Sequence, residues 1–234
     1  LARTGTMIAA IHHEIGNILQ PIQTQVRKLA GPLPDESARR KSVELLQERT
    51  GALDRLLRNL KDFARPIELR FREVNLEELT QAVIQELREQ HKDAALQFET
   101  EIAVEAKSCQ ADGYWLRQVL YNLVRNAVEA TTGRETRCVR VRARRDGTDI
   151  EVAVEDNGPG IAPSVKNRLF EPFASTKAEA GTGLGLSLCR KIVDLHGGSL
   201  AAESAEGSGA RFTIRFPART QDKDPHPIPR STDE

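Results

Sequence analysis

Two runs of apolar residues at helical spacing dominate the N-terminal part of the chain. In the first run the residues recur after three or four positions, and once after seven, which places them on one face of a helix. They are Ile8, Ile11, Ile15, Ile18, Ile22 and Leu29. The second run follows a breaker segment at 31–35 and consists of Leu46, Leu53, Leu56, Leu57, Leu60 and Phe63. The pattern predicts a helical hairpin over residues 1–65, because Pro66 ends the second run.

The apolar faces of such a hairpin need a further partner. The second helix is expected to hold about 28 residues and to extend roughly 42 Å at about 1.5 Å per residue. Two helices alone leave much of these faces uncovered, and a symmetric homodimer would bury them in a four-helix bundle. The alternative is a monomeric hairpin that lies on the downstream part of the same chain.

Residues 66–218 combine helical and strand patterns and are expected to form a second domain. Apolar residues at helical spacing predict helices at 76–90, 114–131 and 185–195. Strand patterns occur at 96–102, 137–144, 150–155, 199–203 and 211–216. This order predicts an α+β domain of two layers. The polar, proline-containing residues 219–234 are expected to be a disordered tail.

The charge balance argues against nucleic acid as a partner. Lysine plus arginine and aspartate plus glutamate both total 34 in the 234 residues, so no global field favours an anionic polymer or membrane. The three cysteines are widely spaced and odd in number, which is typical of reduced cytosolic thiols. No segment approaches the roughly 18 apolar residues of a membrane span. Because the chain starts without methionine, we expect a cytoplasmic fragment whose sensor module and any membrane anchor lie upstream.

A glycine-rich turn, Asp156-Asn157-Gly158-Pro159-Gly160, directly follows the predicted strand 150–155. The glycines let the backbone approach a ligand closely. The Asp156 carboxylate suits an exocyclic amine such as N6 of adenine, because an unpaired polar group in a buried pocket costs about 1–3 kcal/mol. Asp156, Gly158 and Gly160 are therefore candidate nucleotide contacts.

A second glycine run opens the predicted helix 185–195. The N–H groups and the positive dipole end of a helix N-terminus favour phosphate, and a lysine shortly before this run adds a positive charge. The candidate contacts are Lys177, Gly181, Thr182, Gly183, Leu184 and Gly185. The segment 160–181 lacks periodicity and is expected to be a mobile loop that orders over a ligand. Taken singly, each glycine run is also consistent with an ordinary tight turn.

Asn122 and Asn126 lie four residues apart on the predicted helix 114–131 and therefore share one of its faces. An amide oxygen is a suitable ligand for Mg²⁺, which takes few protein ligands beside nucleotide phosphates. One or both asparagines are thus candidates to hold Mg²⁺ with ATP. The alternative is a pair of surface amides on an amphipathic helix.

His12 and His13 lie on the first predicted helix, followed by Glu14. A histidine with an ordinary pKa of about 6.5 is largely neutral at cytosolic pH, so one ring nitrogen keeps a lone pair that can attack phosphorus. Glu14 can accept a hydrogen bond from the other ring nitrogen and orient the attacking one. The two histidines are about 100° apart on a helix, so they cannot face one incoming group equally.

The order of these segments resembles the sensor histidine kinases of two-component signalling, within the superfamily that includes DNA gyrase B and the ninety-kilodalton heat-shock chaperones. Five segments match the family's motifs in order. They are residues 13–17 (H box), 122–127 (N box), 156–160 (first glycine box), 170–173 (F box) and 181–186 (second glycine box). Pro21, displaced from the family's usual proline position, makes the pattern most similar to the nitrogen-regulation branch.

The resemblance implies roles on the first helix. The family's phosphoacceptor histidine immediately precedes an acidic residue, which selects His13 and leaves His12 as a solvated or interhelical histidine. Asn17, one turn after His13, corresponds to a position that orients water for removing phosphate from a partner's aspartate in related kinases. The alternative for Asn17 is an ordinary surface amide.

The resemblance also implies roles in the second domain. Asp156 is implied to contact adenine, Asn126 to be the principal Mg²⁺ ligand and Lys177 to contact phosphate, with the segment after Ile161 as the ATP lid. In the gyrase branch, the position of Asn122 holds a glutamate that activates water. An amide cannot act as that base, which argues against simple ATP hydrolysis.

The implied function is that of an ATP-dependent protein-histidine kinase. Such an enzyme would form a homodimer through the hairpin, use ATP and Mg²⁺, and pass its phosphoryl group to an aspartate of a response-regulator receiver domain. One alternative is a member that acts mainly as a phosphatase on that receiver. Another is a dimeric scaffold that binds nucleotide without kinase activity. A serine-directed kinase of the anti-sigma type fits less well, because those kinases lack the long hairpin with its histidine.

Overall fold

The computed structural model of the chain describes residues 2–31, 35–64, 66–91, 93–172, 183–204 and 207–218. They fall into two compact units. The first unit combines Leu1–Ile67 with Ile161–Lys191, and the second combines Glu68–Gly160 with Ile192–Glu234, each as far as its residues are described.

The first unit is built on the predicted hairpin. Helix α1 (Ala2–Ala30) and helix α2 (Glu36–Ala64) each contain 29 residues, and α2 has close to the length that was expected for the second helix. Asp35 caps α2, since its Oδ1 accepts a hydrogen bond from the Ala38 N–H at 2.7 Å. The Ser42 hydroxyl donates to Gln25 Oε1 at 3.1 Å, which links the two helices. The helical hairpin predicted from the sequence is confirmed.

The apolar cluster of the hairpin includes a residue from far downstream in the sequence. Ile18 and Leu56 are 4% and 0% exposed, and Leu184, also 0% exposed, packs with them. Leu184 immediately precedes helix α6 (Gly185–Leu195). The packing of Leu184 explains why residues 161–191 group with the hairpin, whereas the sequence pattern placed them in a domain covering 66–218. That domain assignment remains a prediction.

The second unit contains a mixed sheet and its covering helices. Its strands are β1 (Arg72–Asn75), β2 (Leu96–Ile102), β3 (Ser108–Ala111), β4 (Arg137–Asp146), β5 (Asp149–Asp156), β6 (Ser199–Ser204) and β7 (Ala210–Pro217). Its main helices are α3 (Leu76–Gln90) and α4 (Gly113–Ala130), and a 3₁₀ turn covers Val104–Ala106. A short helix α5 (Pro163–Lys166) belongs to the first unit and lies in the segment expected to be a mobile loop.

Five strands form one sheet in the order β2-β4-β5-β7-β6, in which β2 and β4 are parallel and the other neighbours antiparallel. Helix α4 contacts β4 and β5. Its fully or nearly buried apolar side chains are Leu116, Val119, Leu120, Leu123, Val124, Ala127 and Val128. The predicted α+β two-layer architecture is therefore confirmed. No helix among the described residues is both long and apolar enough to cross a membrane.

The pairing of β1 with β3 was not predicted. These two four-residue strands form a separate antiparallel sheet in which Val74 lies opposite Cys109. Cys109 is buried, and this burial raises the pKa of its thiol to about 11. Cys109, Cys138 and Cys189 form no disulfide bonds with one another.

A row of alternating charges crosses one side of the five-stranded sheet. The strand register aligns Glu99, Arg140, Glu155, Arg211 and Glu203 on successive neighbours from β2 to β6. Within this row, Arg140 lies 2.5 Å from Glu99 and 3.6 Å from Glu155, and Arg211 lies 3.4 Å from Glu155. Opposite charges directly across strands stabilise a sheet. On this face of the sheet, Arg140 and Arg211 are therefore paired with Glu99 and Glu155.

Glu151 makes the stability of this sheet depend on acid pH. Glu151 is 4% exposed, and its carboxylate accepts hydrogen bonds from Arg144 and Arg215. These hydrogen bonds, that from Arg144 most of all, hold the pKa of Glu151 below its ordinary value. Because the folded-state pKa is lowered, this stabilisation is present above the unfolded-state pKa of about 4.3 and is lost as the pH falls through the folded-state value.

The free energy of unfolding of the wild type is expected to fall between pH 7 and acid pH. We expect this fall to be smaller in Glu151→Gln, which has no carboxylate to protonate at this position. Urea unfolding followed at a series of pH values measures this slope. Glu101→Gln is the matched control, since Glu101 is 77% exposed in its pair with Arg142 and should keep the wild-type slope. Equal slopes in the wild type and Glu151→Gln would contradict the expectation.

Candidate functional site

Asp156 ends strand β5, and two backbone groups hold its carboxylate in place. Its Oδ1 accepts hydrogen bonds from the N–H of Gly158 at 2.9 Å and from the N–H of Ala210 at 3.3 Å. The second of these comes from strand β7, which neighbours β5 in the sheet. The carboxylate is therefore fixed by the turn that follows it and by an adjacent strand.

Gly158 lies where no side chain fits. An added Cβ would come within 2.8 Å of the Ala130 carbonyl oxygen and 2.8 Å of Asp156 Oδ1. The Gly158 carbonyl also accepts a hydrogen bond from Arg134 at 3.0 Å. The glycine thus lets the turn after β5 approach the C-terminal end of α4 closely. Gly160 has a φ of +86°, a backbone conformation that favours glycine.

Asn122 is buried on helix α4 without a hydrogen-bond partner. It is 1% exposed, and among the described residues neither its Oδ1 nor its Nδ2 has a partner. A buried amide left unpaired costs about 1–3 kcal/mol, so a ligand that pairs with it is a physical reason for its presence. The alternative that both asparagines are surface amides is wrong for Asn122. Asn126, one turn later on the same face, is half-buried.

The donor set of this helix fits a magnesium ion that is held largely by phosphate. In the described part of the chain, no three His, Cys, Asp or Glu side chains come together as a metal site. Amide oxygens are ligands that Mg²⁺ accepts when nucleotide phosphates and water supply the rest. Asn122 and Asn126 are compatible with that arrangement.

The second glycine run is described only in part, and it lies in the first unit. Gly183 has a φ of +62°, Leu184 is buried in the hairpin cluster, and Gly185 begins helix α6. The Leu184 carbonyl accepts hydrogen bonds from the N–H of Leu188 at 2.9 Å and the hydroxyl of Ser187 at 2.9 Å. The predicted contacts Lys177, Gly181 and Thr182 lie outside the described residues.

The candidate phosphoacceptor lies within the continuous helix α1. The side chains of His12, His13 and Glu14 are outside the described part of the structure. Asn17, four residues after His13, is partly exposed on the same helix, while its neighbour Ile18 is buried against α2. The roles assigned to all four residues remain predictions.

Known proteins with similar sequences and structures identify the family of this chain. Residues 111–220 match the family described as histidine kinase-, DNA gyrase B- and HSP90-like ATPase. The nucleotide-free catalytic domain of the histidine kinase ThkA is 38% identical to this chain, with a TM-score of 0.57, and the match covers 64% of this chain and 96% of that domain. This chain belongs to the sensor histidine kinases.

The likeness extends over both units of this histidine kinase core. ThkA in complex with the response regulator TrrA is 30% identical, with a TM-score of 0.80, over 95% of this chain and 64% of that one. The sensor histidine kinase ZraS of Klebsiella oxytoca is 34% identical over 224 residues, which is 96% of this chain and 48% of ZraS. The chain therefore spans about half the length of this curated relative.

One residue that shapes the candidate site around Asp156 was not predicted from the sequence. Gly209, in the β6–β7 connection, has a φ of +83°, and an added Cβ would lie 1.8 Å from the Asp156 carbonyl oxygen. Only glycine allows that connection to approach the end of β5. The pair Gly207 and Gly209 was visible as a turn signal, but its proximity to Asp156 depends on the β5–β7 pairing.

Asn157 also has a structural role that its place in the first glycine box did not reveal. Its Oδ1 accepts a hydrogen bond from the Cys138 N–H at 2.9 Å, and its Nδ2 donates to the Thr136 carbonyl at 2.8 Å. These contacts fasten the turn after β5 to the start of β4. The Asn157 side chain therefore supports the fold of this turn.

A cleft of about 610 Å³ opens beside Asp156 on the charged side of the sheet. Its lining includes Cys138, Arg140, Glu203 and Arg211, and neither Asn122 nor Asn126 contributes to it. In this cleft, burial and then the nearby Glu99 raise the pKa of the Cys138 thiol. The cleft is thus separate from the asparagines of the kinase motif.

Proposed function

We propose that this chain is the ATP-dependent core of a protein-histidine kinase, which phosphorylates itself on His13 and passes the phosphoryl group to an aspartate of a response-regulator receiver domain. The observation that carries the proposal is the buried, unpaired Asn122 amide one turn from Asn126. The cost of leaving the buried Asn122 amide unpaired favours a ligand there, and the family membership indicates a nucleotide. The relative ThkA has been solved with a response regulator.

Asp156 serves as the acceptor for the adenine amine in this proposal. Its backbone partners hold one carboxylate oxygen at the end of β5, so the group is oriented before the nucleotide arrives. Orientation in advance reduces the entropic cost of binding. The absence of a side chain at Gly158 keeps the turn close to α4.

Asn126 is the residue that would hold Mg²⁺, with Asn122 beside it. The ion, when bound with ATP, supplies positive charge that stabilises the phosphate oxygens during transfer. The half-buried Asn126 can reach a ligand on the helix surface, whereas the buried Asn122 amide can donate to or accept from an oxygen placed against the helix. We also propose that Lys177 and residues 181–185 contact the phosphates of ATP.

His13 is the proposed nucleophile. A ring nitrogen forms a bond to the γ-phosphorus while the bond from that phosphorus to the bridging oxygen breaks, which leaves ADP. Glu14 accepts a hydrogen bond from the other ring nitrogen and so favours the attacking tautomer. Asn122 replaces the water-activating glutamate of the gyrase branch, which favours transfer to a histidine over hydrolysis.

The hairpin carries apolar residues that support a homodimer. Leu19 and Val26 on α1 are 36% and 52% exposed, and Val43 and Leu57 on α2 are 42% and 52% exposed. Leu19 and Val26 are seven residues apart and share one helix face, as residues of a bundle seam do. We propose that a second copy covers them in a four-helix bundle. We also propose a cytoplasmic location for this core, where ATP is available.

Transfer to a receiver domain tests the proposed function. The protein is labelled with ATP and Mg²⁺, freed of nucleotide, and mixed with isolated receiver domains of response regulators from the same organism. We expect the label to leave the kinase and to appear on at least one receiver. A protein that never becomes labelled but accelerates loss of phosphate from a receiver would be the phosphatase alternative. A protein that binds ATP and does neither would be the scaffold.

Pro21 gives a further prediction for the same reaction. Helix α1 continues through Pro21, which has no N–H to donate to the carbonyl of Asn17, one turn after His13. This missing bond makes the helix easier to bend beside the phosphoacceptor. We expect Pro21→Ala to raise the melting temperature and to change the ratio of autophosphorylation to transfer rates by about threefold or more. Unchanged rates of autophosphorylation, transfer and phosphatase activity would contradict this role.

A further inference from the structure

Asp112 lies outside the five family motifs and contacts three different parts of the chain. It is 8% exposed and immediately precedes α4, the helix that carries Asn122 and Asn126. Its Oδ1 accepts hydrogen bonds from the N–H groups of Tyr114 at 3.1 Å and Trp115 at 3.2 Å. One carboxylate oxygen therefore caps the helix.

The second oxygen of the same carboxylate holds another part of the chain. Asp112 Oδ2 accepts a hydrogen bond from the backbone N–H of Arg70 at 2.8 Å. Arg70 lies in the segment by which the chain enters the second unit, three positions after Ile67, where the first part of the hairpin unit ends. The carboxylate thus ties this entering segment to the first turn of α4.

His196 adds a third element to the junction. It is 3% exposed, and its Nε2 accepts a hydrogen bond from the Asp112 N–H at 3.2 Å. Its Nδ1 lies 2.8 Å from the Ile192 carbonyl in the last turns of α6, so this nitrogen carries the proton and donates. The Phe71 ring, next to Arg70, makes a T-shaped contact with the imidazole, with 5.4 Å between the ring centroids. The entering segment, α4 and α6 all meet at Asp112 and His196.

We propose that Asp112 is a positioning residue for phosphoryl transfer, which couples the segment leading out of the hairpin to the helix that carries the nucleotide-binding asparagines. The inference rests on the proposed function. A helix is stiff, and Asn126 lies 14 positions after Asp112, about 21 Å along α4 at about 1.5 Å per residue. A displacement at Arg70 reaches the start of that helix through the Asp112 carboxylate, beside the β1–β3 pairing and the Phe71–His196 contact.

Two substitutions separate this coupling from helix capping. Asp112→Asn keeps an oxygen that can cap α4, but its amide nitrogen then faces the Arg70 N–H, so two donors oppose each other. Arg70→Pro removes the donor N–H and leaves Asp112 intact, and Arg70→Ala is its control because it keeps the N–H. Asn75→Ala is the matched control for a lost cap. Asn75 caps α3 with φ −81° and ψ 106°, against φ −81° and ψ 107° at Asp112.

The experiment measures initial rates of autophosphorylation of the full chain against ATP concentration, together with each variant's melting temperature. We expect Asp112→Asn and Arg70→Pro to lower kcat about tenfold while KM for ATP stays within about twofold, because positioning and not nucleotide binding is lost. Arg70→Ala and Asn75→Ala should keep kcat within about twofold of the wild type.

Wild-type kcat in both Asp112→Asn and Arg70→Pro would overturn the inference. A fall in kcat for Asn75→Ala as large as that for Asp112→Asn would also overturn it, since a weakened helix start, without any contact to Arg70, would then be enough to explain the effect. A tenfold rise in KM with unchanged kcat would show that the junction serves binding and not coupling. A wild-type protein that acquires no label contradicts the proposed function itself, and so is distinguishable from these results.

Discussion

Replacing His13 with alanine is expected to abolish phosphate incorporation from ATP, lowering the rate by about a thousandfold or more, because no other group at that position can form the nitrogen–phosphorus bond. ATP affinity should stay within about twofold, since His13 contributes to the reaction and not to the nucleotide contacts proposed at Asp156 and Asn126. Initial rates with labelled ATP, and calorimetric titration with ATP, measure the two quantities.

His12→Ala is the matched control for this result. The two histidines are neighbours in sequence and in helix α1, but they differ by about 100° around the helix axis. His12→Ala should therefore keep most of the label. If His12→Ala loses the label and His13→Ala keeps it, the phosphoacceptor is His12 and not His13. If both variants keep the label, neither histidine is the phosphoacceptor.

Asp156→Asn is expected to weaken ATP binding about a hundredfold. The amide keeps an oxygen for the N–H groups of Gly158 and Ala210, so the turn should remain folded. Its nitrogen, however, places a donor against the adenine amine, which is also a donor. Losing a charge-assisted hydrogen bond and leaving a buried group unpaired costs about 2–3 kcal/mol, or about 30- to 160-fold in affinity.

Asp149 offers a matched control at the other end of the same strand. Asp149→Asn changes the same charge by the same chemistry, next to the β4–β5 turn. Calorimetric titration with ATP should give wild-type affinity for this variant. An unaltered dissociation constant in Asp156→Asn, or an equal loss in Asp149→Asn, would contradict the role assigned to Asp156.

Local patterns were sufficient for most of the helices and strands. Helix α3, strand β2 and helix α6 begin and end where their patterns predicted, because each is bounded by a cap, a turn or glycine. Helix α4 begins one residue earlier than predicted, at Gly113, because Asp112 caps it. The turn at Gly147, with a φ of +61°, lets β4 and β5 extend further than expected.

What the sequence could not show depends on contacts between distant segments. Strands β1 and β3 have four residues each, too few for a period to be read, and their pairing joins segments more than thirty residues apart. The burial of Leu184 between Ile18 and Leu56 depends on how the second glycine run packs on the hairpin. In the same way, the motif pointed to Asn122 as a ligand, but only the packing of α4 showed that its amide is buried and unpaired.

The stability of the label in acid and in alkali shows directly whether the phosphoryl group is carried on an imidazole nitrogen. The wild-type protein is incubated with Mg²⁺ and labelled ATP, separated from nucleotide, and divided between acid and alkali. We expect a label that is lost in acid and retained in alkali, as a nitrogen–phosphorus bond requires. A label stable in acid, or no label on a folded protein that binds ATP, would contradict it.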